Sequence, residues 1–203
     1  SFTLDRPLAA TLENGGTVSV TFHGMATAIY VWLNGIFVGY GEDGFTPNEF
    51  DITEALNVDG TNVLTVACYE YASASWLEDQ DFWRLHGLFR SVELAAQPRV
   101  HVETVQIEAD YNPSTAAGTL NATLQLRNAN DAATVKAKLR DASGTVVWES
   151  TQCANETIIL NSGALKNIAP WSAEEPTLYE LTVLVVGHDG PLVEKIVQRI
   201  GFR

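Results

Sequence analysis

Hydrophobic and polar positions alternate along most of the chain, and this alternation predicts β-strands. Val18, Val20 and Phe22 lie on one face of a predicted strand, and the polar residues between them lie on the other face. No segment shows a convincing apolar stripe at helical spacing, so we predict an all-β protein. Residues 1–5 fit the middle of a strand, and we therefore expect this chain to be cut from a longer one.

Turn residues divide the first half of the chain into short strands. Asn34-Gly35 separates two of them and accepts positive φ at both positions, which predicts a tight hairpin. Pro98 marks a domain boundary, because proline cannot donate to a central ladder and the alternation restarts at His101. The strands predicted before this boundary are 18–23, 28–33, 36–40, 50–52, 63–69 and 88–95.

The second half of the chain carries seven predicted strands in about 105 residues, which is typical of an immunoglobulin-like sandwich. Asp189-Gly190 predicts a hairpin between the last two strands. The first half has fewer clear strands than a closed sandwich needs, so we expect its first strands to lie upstream of Ser1. The strands of the second half are predicted at 101–109, 120–127, 135–140, 146–148, 157–160, 178–186 and 192–200.

The composition argues against several classes of function. The 203 residues are 46% hydrophobic and carry 25 acidic against 12 basic side chains, a net charge of −13. Such a surface repels phosphate backbones, so nucleic acid is not an expected partner. Apolar runs such as 181–187 are too short to span a bilayer, and the first residues do not resemble a signal peptide. Cys68 and Cys153 are far apart, and we expect them to stay reduced.

Residues 75–90, termed the candidate loop, concentrate the side chains that suit binding chemistry. Tryptophan faces stack on the apolar face of a sugar ring, and carboxylates accept hydrogen bonds from its hydroxyls or ligate hard cations. The alternative is structural, with the rings in the core and the carboxylates capping amides or pairing with arginine. The carboxylates and tryptophans of the loop are Glu78, Asp79, Asp81, Trp76 and Trp83.

A complete glycosidase site is not expected in this loop. Retaining enzymes hold two carboxyl groups about 5–5.5 Å apart, one of them protonated. Asp79 and Asp81 are close enough in sequence for that distance, but the loop offers no apolar pocket to raise the pKa of a carboxyl. Residues 39–51 fit either the lining of a sugar site or turn chemistry alone, and 170–179 predict a structured corner with Trp171 and Tyr179 as packing anchors.

Taken in order, these clusters resemble the N-terminal half of the β-galactosidases of glycoside hydrolase family 2. The resemblance runs nearly the whole length, and the block 78–90 favours the galactosidases over the glucuronidases and mannosidases of the family. The matching residues are Trp32-Leu33-Asn34-Gly35, Val38-Gly39-Tyr40, Glu49-Phe50-Asp51-Ile52, 77–84, 87–90, Trp171-Ser172-Ala173-Glu174, Pro176-Thr177-Leu178-Tyr179 and Ile200-Gly201-Phe202-Arg203.

The resemblance implies a galactose-binding-like jelly-roll sandwich at 1–98, truncated at its N-terminus, and an immunoglobulin-like sandwich at 99–203. In the family a (β/α)₈ barrel follows and supplies both catalytic glutamates and the Mg²⁺ site, so this chain should hold no catalytic residue. By resemblance, Asp81 reaches the active site, ligates Na⁺ together with barrel ligands and holds galactosyl hydroxyls. Glu78, Asp79 and Trp83 are expected to support its loop.

Three hypotheses follow. The chain is the non-catalytic N-terminal region of a retaining β-galactosidase that hydrolyses terminal β-D-galactosides such as lactose, or a free-standing carbohydrate-binding module, or a structural pair of sandwiches. We favour the first, in which the chain helps to shape the active site of a bacterial, cytoplasmic, homo-oligomeric enzyme. Its partners are then the barrel of the same polypeptide and the sugar, and neither nucleic acid nor membrane.

Overall fold

The computed structural model describes residues 1–77, 81, 83, 85–188 and 190–203. These residues form two compact units, Ser1–Arg99 and Val100–Arg203. Antiparallel sheets are the main regular structure of both units, and each unit has its own hydrophobic core. The prediction of an all-β protein is therefore confirmed.

The first unit contains three small sheets in its described part, with strand orders β5-β1-β8, β4-β3-β6 and β2-β7. Their strands are β1 Thr17–Phe22, β2 Met25–Ala26, β3 Ala28–Leu33, β4 Ile36–Gly41, β5 Asn48–Asp51, β6 Leu64–Tyr69, β7 Gly87–Leu88 and β8 Val92–Gln97. Val18, Val20 and Phe22 of β1 are fully buried, as their alternation predicts.

The predicted hairpin at Asn34-Gly35 joins β3 to β4. Asn34 has φ +53° and Gly35 has φ +81°, the left-handed values that a tight turn between twisted strands requires. The turn also sets the register, in which Tyr30 lies opposite Tyr40. Ile29, Val31 and Leu33 consequently face the core, and the aromatic side chains between them face outward.

Two predictions for the first unit are wrong. Residues 1–5 are not the middle of a strand: Phe2 forms an isolated bridge with Asn62, and a helix, α1 Arg6–Glu13, follows Asp5. Asp5 caps α1 by accepting a hydrogen bond from the Leu8 amide at 3.0 Å, and Leu8 and Leu12 pack against the core. A single strand was also expected over 88–95, but β7 pairs with β2 and β8 pairs with β1.

Short 3₁₀ helices at Thr53–Ala55, Ser73–Trp76 and Ala129–Asp131 complete the helical content of the described residues.

The second unit is a sandwich of two sheets with strand orders β13-β10-β9 and β12-β11-β14-β15. Its strands are β9 His101–Asn112, β10 Ala117–Arg127, β11 Ala132–Arg140, β12 Val146–Cys153, β13 Thr157–Lys166, β14 Tyr179–Gly187 and β15 Leu192–Ile200. This is the three-plus-four arrangement of an immunoglobulin-like sandwich, with the strands where the alternation predicted them. Leu120, Leu124, Val135 and Leu139 are fully buried in its core. Asp189, in the predicted last turn, lies outside the described residues.

Candidate functional site

The candidate loop joins β6 to β8 in the first unit. It begins in the 3₁₀ helix Ser73–Trp76 and ends with β7 and the residues that follow it. Asp81 and Trp83 are described and exposed, whereas the predicted site residues Glu78 and Asp79 lie outside the described residues. The structure therefore places Asp81 and Trp83 on the surface of the loop.

The two tryptophans of this loop, both among the described residues, do not form part of the core. Trp76 is 89% exposed and Trp83 is 85% exposed, which excludes the structural alternative for both rings. Leu77 and Leu85 are also highly exposed, so the loop carries a concentration of large apolar side chains in contact with water. Concentrations of this kind mark surfaces that bind something else.

The start of the loop is attached to the segment that follows β4. The hydroxyl of Ser73 donates a hydrogen bond to Glu42 at 2.7 Å, and the hydroxyl of Tyr40 donates to the same carboxylate. The second bond raises the pKa of Tyr40 to about 12, because loss of its proton would bring two negative charges together. Glu42 thus links strand β4 to Ser73, in the 3₁₀ helix that leads into the loop.

The end of the loop is attached to the same segment by Arg90. Its guanidinium donates hydrogen bonds to the carbonyls of His23 at 3.2 Å and Phe45 at 3.0 Å. The rings of Phe45 and Phe89 lie 5.6 Å apart, and Arg90 lies 5.3 Å from the centre of the Phe89 ring. Both ends of the candidate loop are therefore held by residues 42–45.

Residues 42–48 are shaped by turn chemistry. Asp43 accepts hydrogen bonds from the hydroxyl and amide of Thr46, and the hydroxyl bond is the main cause of the lowered pKa of Asp43. Asn48 donates to the carbonyls of Asp43 and Thr46. A Cβ at Gly44 would lie 2.0 Å from the Met25 carbonyl oxygen, so only glycine fits there. These contacts match the turn alternative for this segment and give it a second role, as the support of the candidate loop.

An aromatic cluster on the outer face of the β4-β3-β6 sheet was missed by the sequence reasoning. Its central ring, Tyr30, is 37% exposed and lies 4.6 Å from the Tyr40 ring and 5.5 Å from the Tyr69 ring. Trp32 and Phe37 continue the cluster along the sheet. The alternation along β3 could have indicated this cluster, because Tyr30 and Trp32 occupy the outward positions of the strand, where polar residues are usual.

The predicted corner at 170–179 lies in the second unit. Tyr179 is buried, its hydroxyl accepts a hydrogen bond from the Ala169 amide at 2.9 Å, and its ring meets Phe202 edge to face. Trp171 is partly exposed and forms an isolated bridge with Pro176. Tyr179 therefore packs as predicted, whereas Trp171 lines an open groove of about 730 Å³ with residues of β9 and β15.

Metal and cysteine chemistry is limited in the described part of the chain. Within it, no three His, Cys, Asp or Glu residues come together as they would to hold a metal ion. The Na⁺ ligation expected of Asp81 by resemblance stays a prediction. Cys68 and Cys153 are free, as predicted, and lie in different units.

None of the helices in the described residues is long and apolar enough to cross a membrane.

Comparison with known proteins defines the class to which these two units belong. Residues 3–98 match "Glycosyl hydrolases family 2, sugar binding domain", and residues 100–203 match "Glycosyl hydrolases family 2". The chain belongs to glycosyl hydrolase family 2, which confirms the resemblance seen in the sequence.

The relatives in sequence carry a more particular name. Beta-galactosidase BgaC of Bifidobacterium adolescentis is 67% identical, over 100% of this chain and 21% of that protein. The beta-galactosidase of Streptococcus thermophilus is 47% identical, over 92% of this chain and 18% of that protein. The chain thus spans about a fifth of the length of these curated relatives.

Solved structures share the fold at much lower identity. A β-glucuronidase of Bacteroides uniformis matches 99% of this chain and 25% of its own, with a TM-score of 0.83 and 20% identity. A β-glucuronidase of Parabacteroides merdae matches 100% of this chain and 26% of its own, with a TM-score of 0.81 and 22% identity. These likenesses show the fold alone.

Proposed function

We propose that this chain is the non-catalytic N-terminal region of a retaining β-galactosidase and helps to shape the active site of that enzyme. The observation that carries the proposal is 67% identity, over the whole chain, to a fifth of a beta-galactosidase. The substrates are then terminal β-D-galactosides such as lactose, and both catalytic glutamates belong to the remainder of the polypeptide.

The contribution of this chain is to position a carboxylate. The candidate loop is held at its start by the Ser73–Glu42 bond and at its end by the Arg90–Phe45 bond, and it exposes Asp81. An exposed aspartate on a loop with fixed ends can accept hydrogen bonds from sugar hydroxyls without the entropy cost of ordering a free loop. Trp83 and the other exposed apolar side chains of the loop would be covered by the remainder of the polypeptide.

The resemblance implies two cations, Na⁺ and Mg²⁺, and this chain offers a candidate ligand for Na⁺. Asp81 offers a hard oxygen ligand of the kind that Na⁺ accepts, and the other ligands would come from outside this chain. Mg²⁺ would bind in the remainder of the enzyme. We place the enzyme in the bacterial cytoplasm as a homo-oligomer, without nucleic acid or membrane as partner.

A chimera tests the proposal. In Bifidobacterium adolescentis BgaC, the aligned N-terminal fifth is replaced by this chain, and hydrolysis of lactose is measured. We expect an active enzyme. Asp81→Asn in the chimera should lower kcat/KM by roughly tenfold to a hundredfold, the effect of losing a hydrogen bond to a charged group, about 1.5–3 kcal/mol. It should also abolish the response of activity to Na⁺.

Glu156→Gln is the matched control, since it neutralises an exposed carboxylate of the second unit. It should leave both kcat/KM and the Na⁺ response unchanged. A chimera that folds like BgaC but hydrolyses no galactoside would contradict the proposal. So would an Asp81→Asn chimera that behaves like the control.

The carbohydrate-binding module remains the alternative, and the name of the matching domain keeps it open. Isothermal titration of the isolated chain with galactose and lactose separates the two. The galactosidase proposal expects no measurable heat, because most sugar contacts lie outside the chain. Saturable binding that Trp83→Ala removes would favour the module.

A further inference from the structure

The chain contains two asparagine–glycine pairs, Asn14-Gly15 and Asn34-Gly35. Such pairs deamidate spontaneously, since glycine has no Cβ to hinder attack by its own backbone nitrogen. That nitrogen bonds to Cγ of the asparagine, ammonia leaves, and a cyclic imide forms. Water then opens the imide to aspartate or isoaspartate. The reaction needs only water and a side-chain amide that is free to turn toward the following nitrogen.

The fold restrains the side chain of Asn34 from three directions. Its amide nitrogen donates to the Ala55 carbonyl at 2.8 Å and to the side-chain oxygen of Asn62 at 2.9 Å, and its side-chain oxygen accepts from the Val63 amide at 2.9 Å. Asn62 is fully buried and is held in turn by Asn57. Asn34 cannot turn toward Gly35 unless contacts with residues more than twenty positions away are broken.

Among the described residues, the side chain of Asn14 is held by its own helix alone. It ends α1, is exposed, and donates a side-chain hydrogen bond to the Ala10 carbonyl at 2.7 Å. The Gly15 amide donates to Leu12 at 2.9 Å in the same last turn. A helix of eight residues with no fully buried side chain opens at its end far more readily than a sheet core. Opening this one turn frees both the side chain and the attacking nitrogen.

We propose that Asn14 is a site of spontaneous deamidation in the folded protein and that the fold protects Asn34. Conversion of Asn14 to aspartate removes its bond to Ala10 and puts a negative charge at the C-terminal end of α1, where the helix dipole disfavours it. The modification therefore loosens the helix whose Leu8 and Leu12 pack on the first core. At Asn34 a carboxylate would face the oxygens of Ala55 and Asn62.

The two pairs serve as controls for each other in one experiment. The 203-residue chain is incubated in mildly alkaline buffer at body temperature, with and without concentrated urea. Samples are digested with pepsin at low pH, where deamidation is slow, and the peptides around Asn14 and Asn34 are resolved by mass spectrometry. In the folded chain we expect Asn34 to convert at least about tenfold more slowly than Asn14, which reflects the rarer opening of its surroundings. In urea the two rates should become similar.

Equal rates in the folded chain, or conversion of Asn34 before Asn14, would overturn the proposal. A slow Asn34 in urea would also overturn it, because the protection would then not come from the fold. Asn62→Ala removes one acceptor of the Asn34 amide and should speed conversion of Asn34 in the folded chain, while Asn14 keeps its rate. If this variant fails to fold, the comparison with urea still decides.

Discussion

Replacing Arg90 by methionine tests whether the end of the candidate loop is fastened as the structure indicates. The guanidinium of Arg90 bonds to the carbonyls of His23 and Phe45 and lies over the ring of Phe89. Methionine is shorter than arginine but keeps much of its apolar stem, and it has no donor. The change therefore removes the two hydrogen bonds and the cation–π contact with little loss of packing.

The size of the effect follows from these contacts. Hydrogen bonds from a charged group contribute about 1.5–3 kcal/mol when buried. Arg90 is exposed, so we count about 0.5–1 kcal/mol for each of its two bonds. The contact with the Phe89 ring adds about 0.5 kcal/mol. Arg90→Met should thus lower the free energy of unfolding of the first unit by about 1.5–2.5 kcal/mol.

Urea unfolding measures this free energy, and hydrogen exchange locates the change. The Phe89 amide, which donates to the Gly24 carbonyl at 3.3 Å, should lose protection in the variant. Arg6→Met, at the exposed start of α1, is the control and should stay within about 0.5 kcal/mol of the parent. If Arg90→Met stays within the same limit and Phe89 keeps its protection, the attachment through Arg90 contributes nothing and the reasoning is refuted.

Two further predictions concern tyrosine hydroxyls. Tyr179→Phe removes the acceptor of the Ala169 amide and keeps the ring against Phe202, so urea unfolding of the second unit should show a loss of about 1 kcal/mol; an unchanged midpoint would count against the bond. Because the folded pKa of Tyr40 is raised from 10.0 to about 12, its bond to Glu42 stabilises the fold below about pH 10 and is lost as the pH rises through about 12. Ultraviolet titration should show one tyrosine that ionises at higher pH than the others and is missing from Tyr40→Phe. Superimposable titration curves of the parent and the variant would contradict this prediction.

Most of the strands could be predicted from sequence because their signals are local. The alternation of β1 and the left-handed turn at Asn34-Gly35 each need only a few consecutive residues. Helix α1 was missed because its stripe consists of only two leucines, Leu8 and Leu12, over eight residues. An aspartate such as Asp5, placed where it can cap the first turn, is a better sequence signal for the start of this helix.

The candidate loop was found by its composition, but its attachment could not be predicted. Ser73 and Glu42 are 31 positions apart, and Arg90 and Phe45 are 45 apart, so no local pattern pairs them. The aromatic cluster around Tyr30 depends in the same way on the pairing of β3 with β4 and β6. In each case the residue types can be read from the sequence, but the pairing of distant segments that brings them into contact cannot.

The relatives in structure and the relatives in sequence differ in what they show about this chain. Structures of β-glucuronidases share the two units at 20–22% identity, a likeness that shows the fold alone. The sequence relatives that reach 47–67% identity are beta-galactosidases. Under the proposed function, a preference for galactosides would lie in side chains that can change without changing the sheets, and loops on a rigid scaffold are where such side chains lie. The candidate loop meets this condition, because its ends are tied to residues 42–45 while Asp81 and Trp83 remain exposed.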